Sequence, residues 1–340
     1  MEFQIIWFIL WGVLWSVYFM LDGFDLGAGM IQRFVAHDEN ERRAVLNSIG
    51  PVWDGNQVWL ITAGGATFAA FPTTYALMFS YLYTALLIIL FALIVRGVAM
   101  ELRNKEQGKI WRKGWDLALF AGSIVPALLF GVAFGNIFQG LPMDADGYHG
   151  TLFTLLNTYG MVTGLLFLML FLMHGALWVA HKTSGELSER SAEFAQRLWV
   201  PLVAVAVTFL VGTKLTTHLY DNFIEAPIFL LFPVIAVVAL GMIRILISKK
   251  RILAAFFASC ATIVMICFTG ITGLFPNLIP SSIDPAHSLT IFNSSSSTYT
   301  LKMMTVVALI FVPVVIAYQI WNFRVFRQKI DPADSGPEGY

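Results

Sequence analysis

Three aspartates lie inside apolar stretches of this chain, where a carboxylate is energetically costly. Asp22 and Asp25 belong to the segment LDGFDLGAG at 21–29, and Asp54 belongs to the segment WDGNQVW at 53–59. A charged side chain within a bilayer is tolerated where it faces a bundle interior, a partner or water, and such residues mark proton and ion pathways. The three carboxylates therefore predict a route for protons or cations open to the cytoplasm. The alternative is a buried polar cluster that locks helix packing or binds a partner subunit.

The spacing of these residues predicts how they are brought together. Asp22 and Asp25 are three residues apart, hence on one face of a helix. Asp54 lies about seven residues into the next apolar segment, roughly 10 Å deep at the rise of an α-helix. Gln57 is expected on the same side as Asp54, one turn further on, and Asn56 adds polarity. Because the two segments run in opposite directions, we expect Asp22, Asp25, Asp54 and Gln57 to gather in the cytoplasmic half of one helical hairpin.

Small residues accompany the first pair of aspartates. Gly23 and Gly27 form a GxxxG pair. Such pairs allow the backbones of two membrane helices to approach closely. A second helix is therefore expected to cross the first at this level.

The composition excludes a soluble enzyme. Of the 340 residues, 58% are hydrophobic and 12% are charged, and the mean hydropathy is +0.74. Soluble domains carry about 25% charged residues. The 21 basic residues balance the 21 acidic ones, so a basic face for nucleic acid is not expected. Cys260 and Cys267 lie in one apolar run, and neither a disulfide framework nor a metal site is predicted.

The chain is predicted to be an all-α, multi-pass membrane protein with one membrane domain over residues 1–340. A helix that spans a bilayer needs roughly 20 apolar residues. Nine stretches meet this requirement, at about 4–27, 47–71, 75–98, 115–138, 151–180, 198–219, 227–248, 252–275 and 300–323.

The distribution of basic residues predicts the orientation. Alternate loops carry 19 of the 21 Lys and Arg residues, and the opposite loops hold only Lys214 and Lys302. In this count Arg96 belongs to the loop after the third span. The positive-inside rule then places the N-terminus outside the cell and the C-terminus in the cytoplasm.

His174 lies near the inner end of the fifth predicted span. A lone histidine in a membrane can ligate a heme, but satisfied packing is the more common role. No two histidines share one face of a membrane helix at i, i+4 spacing. The chain alone is therefore expected to bind no heme.

Several segments resemble subunit II of the cytochrome bd-type quinol oxidases. The resemblance is carried by LDGFDLGAGM at 21–30 and by NSIGPVWDGNQVWLITAGGATFAAFP at 47–72, and it continues at 122–126, 131–136 and 275–282. It covers essentially the whole chain, and the Trp-Asp-Gly-Asn-Gln run is its most specific part.

This resemblance implies a fold and an activity. The family fold is two four-helix bundles plus one peripheral helix. Subunit II packs beside a subunit I that holds two hemes b, one heme d and the quinol site. The complex oxidises ubiquinol or menaquinol and reduces oxygen to water. It is electrogenic without pumping protons, and it lies in the cytoplasmic membrane of bacteria or archaea. A small single-helix subunit is a common further partner, and neither catalytic residues nor metal ligands are expected in subunit II.

The resemblance also implies roles for individual positions. Asp54 matches the membrane aspartate associated with proton delivery towards heme d, and Asp25 matches a second acidic position on the same side. Trp59 matches a tryptophan that contacts a structural quinone or lipid in some members. Rival interpretations are a purely structural partner of subunit I, a proton- or cation-coupled transporter, and a self-contained heme protein with His174 as ligand.

Overall fold

The computed structural model describes residues 1–334, which fold almost entirely into α-helices. In lipid a backbone has to satisfy its polar groups internally, and an apolar run does so as a helix. The helices are α1 (Glu2–Val35), α2 (Glu39–Ile49), α3 (Trp53–Ala70), α4 (Pro72–Tyr81), α5 (Tyr83–Leu102), α6 (Lys109–Gln139), α7 (Leu152–Leu155), α8 (Thr158–Lys182), α9 (Gly185–Thr216), α10 (Asp221–Glu225), α11 (Leu231–Ser248), α12 (Ile252–Leu274) and α13 (Thr298–Val325).

Eight helices of the described chain are long and apolar enough to cross a membrane. They confirm the prediction of an all-α, multi-pass membrane protein. They are α1, α5, α6, α8, α9, α11, α12 and α13.

The segment predicted as the second span, 47–71, does not form one uninterrupted helix. Residues 47–49 end the polar helix α2, a break follows at 50–52, and α3 begins at Trp53. Three polar side chains in its first five residues, Asp54, Asn56 and Gln57, lower the hydropathy of α3, which is not among the eight candidate spans. The predicted third span is also divided, at Leu82, into α4 and α5.

Helix α1 lies at the centre of the molecule, packed against α3, α6, α8 and α12. Its contact with α8 depends on glycine. A Cβ atom built on Gly27 would overlap the carbonyl oxygen of Phe171 and come within 2.8 Å of the Cα of Gly175. The crossing predicted from the GxxxG pair is therefore present, and α8 is the partner helix.

Two irregular segments, one between α6 and α7 and one between α12 and α13, cover one end of the bundle. Antiparallel strands β1 (Met143–Asp144) and β2 (Gly147–Tyr148) pair there, as do β3 (Asn277–Ile279) and β4 (Leu289–Thr290). The backbone amide of Ser296 donates to the carbonyl of Ala70 at 2.8 Å. The segment between α12 and α13 therefore connects the end of α3 to the start of α13.

Candidate functional site

Asp22 forms a fully buried ion pair with Arg96 of α5. The Nη2 of Arg96 lies 2.6 Å from Oδ1 of Asp22, and the two side chains are 1% and 0% exposed. Tyr18, one turn earlier on α1, donates its hydroxyl to Oδ2 of Asp22 at 3.0 Å. The same Nη2 of Arg96 lies 3.4 Å from Oε1 of Gln57. Asp22 is thus compensated by a full positive charge inside the bundle.

Asp25 has a different set of neighbours. Its Oδ2 accepts a hydrogen bond of 2.8 Å from Nδ2 of Asn56 on α3. The Oδ1 of Asn56 accepts from Gln319 of α13 at 2.9 Å, and Oε1 of Gln319 accepts from the indole of Trp59 at 2.7 Å. A chain of amides and one indole therefore links the Asp25 carboxyl to α3 and α13.

The cluster contains two aspartates but, among residues 1–334, one basic side chain. Arg96 is the basic side chain that contacts this cluster, and its ion pair is with Asp22. Asp25 is 1% exposed, and its Oδ1 has no hydrogen-bond partner among residues 1–334. A buried carboxylate that lacks a counter-ion is unfavourable relative to the neutral acid. Of the two, Asp25 is the carboxyl better suited to hold and release a proton.

Asp54 does not join this cluster, contrary to the prediction from its depth. It is exposed on the opposite face of α3, and its carboxyl group makes no hydrogen bond or salt bridge with any other residue of the described part of the chain. The side chain that faces Asp25 is Asn56. Asp54 instead continues an exposed stripe at helical spacing formed by Val58, Ile61 and Phe68. Its carboxyl therefore lies on the outer surface of the subunit.

Two residues essential to this geometry were not predicted from the sequence. Hydropathy places Arg96 in a loop, whereas α5 extends to Leu102 and buries it. Without Arg96, eighteen of the twenty remaining basic residues still lie in the predicted cytoplasmic loops. Gln319 stands within the apolar run of α13. In both cases a polar residue in an apolar helix was the available signal.

The other predicted positions lie near the cluster. Gln57 contacts Arg96, as the expectation of a polar hairpin requires. Asp22 is buried in the bundle rather than at the membrane surface. Trp59 of α3 is 7% exposed, and its indole faces Gln319 of α13. Its contact with a quinone or lipid stays a prediction.

A second polar network lies beneath the cluster, at the arginine-rich end of the bundle. Arg103 donates to Asp116 at 2.5 Å and to Glu39 at 2.9 Å, which joins the end of α5 to α6 and α2. Burial raises the pKa of Glu39, but the hydrogen bond and charge of Arg103 and the charge of Arg112 outweigh it and hold that pKa below its ordinary value. Glu39 is therefore a stable anion that fixes α2 to the bundle.

His174 does not fit the role of a heme ligand. Its Nδ1 lies 2.6 Å from the hydroxyl of Ser259, and its Nε2 lies 2.9 Å from the carbonyl of Met20. Its ring stacks on Phe256 with the ring centres 4.6 Å apart. Both nitrogens are engaged, and no group of three or more potential metal-binding side chains occurs within residues 1–334. That the isolated chain binds no heme stays a prediction.

Comparison with known proteins assigns the family. The model of cytochrome bd terminal oxidase subunit II matches residues 3–326. The chain is 38% identical to cytochrome bd ubiquinol oxidase subunit 2 of Bacillus subtilis, over 96% of each chain. It is 37% identical to cytochrome bd-I ubiquinol oxidase subunit 2 of Escherichia coli K12, over 97% of this chain and 96% of that one.

A solved structure agrees in fold. The structure of bd oxidase from Geobacillus thermodenitrificans contains a chain that matches with a TM-score of 0.79, at 18% identity, over 96% of this chain and 99% of that chain. The match to the family model and the identity to full-length relatives together show that this chain belongs to the family of cytochrome bd terminal oxidase subunit II.

Proposed function

We propose that this chain pairs with a heme-bearing subunit I in a bacterial respiratory membrane, in a complex that oxidises quinol and reduces oxygen. The hemes and the quinol site would belong to that partner, consistent with the engaged nitrogens of His174. The observation that supports the pairing is the exposed face of α3. It combines large apolar side chains with the single carboxylate of Asp54.

This face continues into a groove between α3 and α5. The groove has a volume of about 530 Å³, and aromatic and aliphatic side chains line it. Exposed aromatic residues at its rim include Phe68, Phe79 and Tyr83. An apolar surface of this kind, with one charged residue, suits a partner helix better than the acyl chains of lipid, because those chains offer nothing to pair with a carboxylate. Subunit I is the partner that the family implies.

The aspartates on the two sides of α3 suggest a proton route. Asp25 is buried inside this subunit, and Asp54 lies on the surface assigned here to subunit I. Asn56 and Gln57 follow Asp54 within one helical turn of α3, and Asn56 is bonded to Asp25. In this proposal Asp25 and Asp54 carry the protons, whereas Asp22 is bound in its ion pair with Arg96 and has a structural role.

Substitution of the two proton-carrying aspartates tests this route. Asp54→Asn and Asp25→Asn keep size and hydrogen bonding but cannot ionise. Each is expected to lower quinol-driven oxygen consumption of the assembled complex by roughly tenfold or more. Gln57→Ala removes only a 3.4 Å contact and is expected to cause a much smaller loss.

Heme spectra of the same preparations separate two causes of inactivity. Intact hemes with slow turnover indicate a failed proton supply, whereas loss of heme d indicates a damaged subunit contact. Normal turnover with normal heme content in both variants would contradict the route. The chain would then be a purely structural partner of subunit I.

We further propose that α3 is a ninth spanning segment and that the N-terminus is outside. Helix α3 runs antiparallel to α1, since Asn56 contacts Asp25 and Thr67 accepts from the indole of Trp11 at 2.9 Å. It also reaches both ends of α13. At one end the side-chain amide of Asn322 donates to the carbonyl of Pro51, just before α3, at 3.2 Å. At the other end the backbone amide of Ser296, just before α13, donates to the carbonyl of Ala70.

Reporter fusions test this topology. A reporter active only outside the cytoplasm is expected to be active when inserted near Met143 and Asp284 and inactive when fused after Tyr340, which lies beyond the described residues. The reason is the excess of Lys and Arg at the end where α1 terminates. Activity of the reporter at Tyr340 would overturn the orientation and remove the cytoplasmic assignment of the aspartate cluster.

A further inference from the structure

A cationic cavity lies at the arginine-rich end of the bundle, away from the aspartate cluster. Its volume is about 550 Å³, and it lies where α8 ends and α12 begins. Lys250, Arg251, Lys329 and His181 line it, and no acidic side chain does. Neither Lys250 nor Arg251 forms a salt bridge with any acidic residue between positions 1 and 334. Among residues 1–334, the side chains that line this cavity therefore carry net positive charge.

The backbone adds to the attraction for an anion. The first three residues of α12, Ile252 to Ala254, line the cavity, and the side chain of the N-cap residue Arg251 does not cap this helix. The first amides of a helix have no partner within it, and they bear the positive end of its dipole. The α11–α12 turn is closed by a 2.8 Å bond from the amide of Lys250 to Ile247 and a 2.9 Å bond from that of Arg251 to Leu246. The two basic side chains therefore start from a fixed backbone.

The rim of the cavity is apolar on the side of the spanning helix. Leu253 and Phe257 line it and are 44% and 61% exposed. They are one helical turn apart on α12, and the helix continues from them into its apolar span. A free anion would gain nothing from this surface, whereas an amphiphile would bury its acyl chains against it.

We infer that this cavity binds the headgroup of an anionic phospholipid of the cytoplasmic leaflet. Lys250, Arg251 and Lys329 would contact the phosphate, and Leu253 and Phe257 would contact the acyl chains. Basic pockets between spanning helices at the cytoplasmic surface are suited to such headgroups. The assignment to that leaflet rests on the proposed orientation.

Lipid retention by the assembled complex tests this site. The double variant Lys250→Gln/Arg251→Gln is compared with Lys109→Gln/Lys113→Gln, which removes the same charge at the same end but on α6. After delipidation, binding of phosphatidylglycerol is measured by native mass spectrometry. The first variant is expected to bind its tightest phosphatidylglycerol roughly thirtyfold more weakly than the wild type, and the control is expected to be unchanged. Arg251→Lys keeps the charge and is expected to retain binding.

Three results would overturn the inference. One is equal binding of phosphatidylglycerol by the wild type and the Lys250/Arg251 variant. Another is that the wild type binds phosphatidylcholine as tightly as phosphatidylglycerol, which would show that the site does not recognise the charge of the headgroup. The third is displacement of the lipid by inorganic phosphate at matched concentration, which would indicate a site for a soluble anion. Because binding is measured without turnover, failure of the proposed proton route would leave this outcome unaffected.

Discussion

Replacing Arg96 with methionine is expected to destabilise the folded subunit by about 3–5 kcal/mol. The substitution leaves Asp22 as a buried carboxylate whose remaining protein partner is the hydroxyl of Tyr18. The ion pair is 2.6 Å long, and both side chains are almost completely excluded from solvent. Removing one charge of such a pair is far more harmful than removing both. Loss of folded complex on heating, followed by size-exclusion chromatography, measures the effect.

Two further variants define what the result means. Arg96→Met combined with Asp22→Asn removes both charges and is expected to recover most of the lost stability. Arg197→Met breaks a pair in which Arg197 and Glu193 are 82% and 62% exposed, and such surface pairs contribute about 1 kcal/mol or less. If Arg96→Met were as stable as Arg197→Met, Asp22 would not depend on Arg96. If the double variant were no better than the single one, unpaired charge would not be the cause.

The membrane fold was readable from the sequence because hydropathy is a local property. Apolar runs of sufficient length specify helices wherever they occur along the chain, and eight of these helices qualify as candidate spans. The segment around α3 was harder to interpret, since its polar residues belong to a site and lower its hydropathy. The break at 50–52 depends on how α2 and α3 pack, and a hydropathy profile does not contain that information.

The aspartate cluster was only partly readable, because it depends on helical phase and long-range pairing. The spacing of Asp22 and Asp25 was enough to place both on the inner side of α1. Within α3, Asp54, Asn56 and Gln57 point in different directions, and the sequence alone does not say which faces α1. Arg96 is 74 residues from Asp22 along the chain. No local pattern connects two such positions.

Gly27→Ala is expected to destabilise the subunit by about 3 kcal/mol, near the upper end for overpacking of a core. The added methyl group would meet backbone atoms, the carbonyl oxygen of Phe171 and the Cα of Gly175, rather than a side chain that can rotate away. Helices α1 and α8 would have to separate. Since Asp25 lies two residues before Gly27, the shift would also disturb its 2.8 Å bond to Asn56. Thermal stability and quinol-driven oxygen consumption are therefore both expected to fall.

Gly241→Ala provides the matched control with the opposite sign. A Cβ atom on Gly241, in the middle of α11, would meet no atom within 4 Å. Alanine is favoured over glycine within a helix by about 0.5–1 kcal/mol, so this variant is expected to be as stable as the wild type or more so. Gly175→Ala places its methyl group against the backbone of Gly27 and Ala28 and is expected to resemble Gly27→Ala. Because both residues form one crossing, the double variant should lose less than the sum of the two single effects. Additive losses would mean that the two glycines act separately, and a Gly27→Ala variant as stable as Gly241→Ala would show that α1 and α8 do not require this close approach.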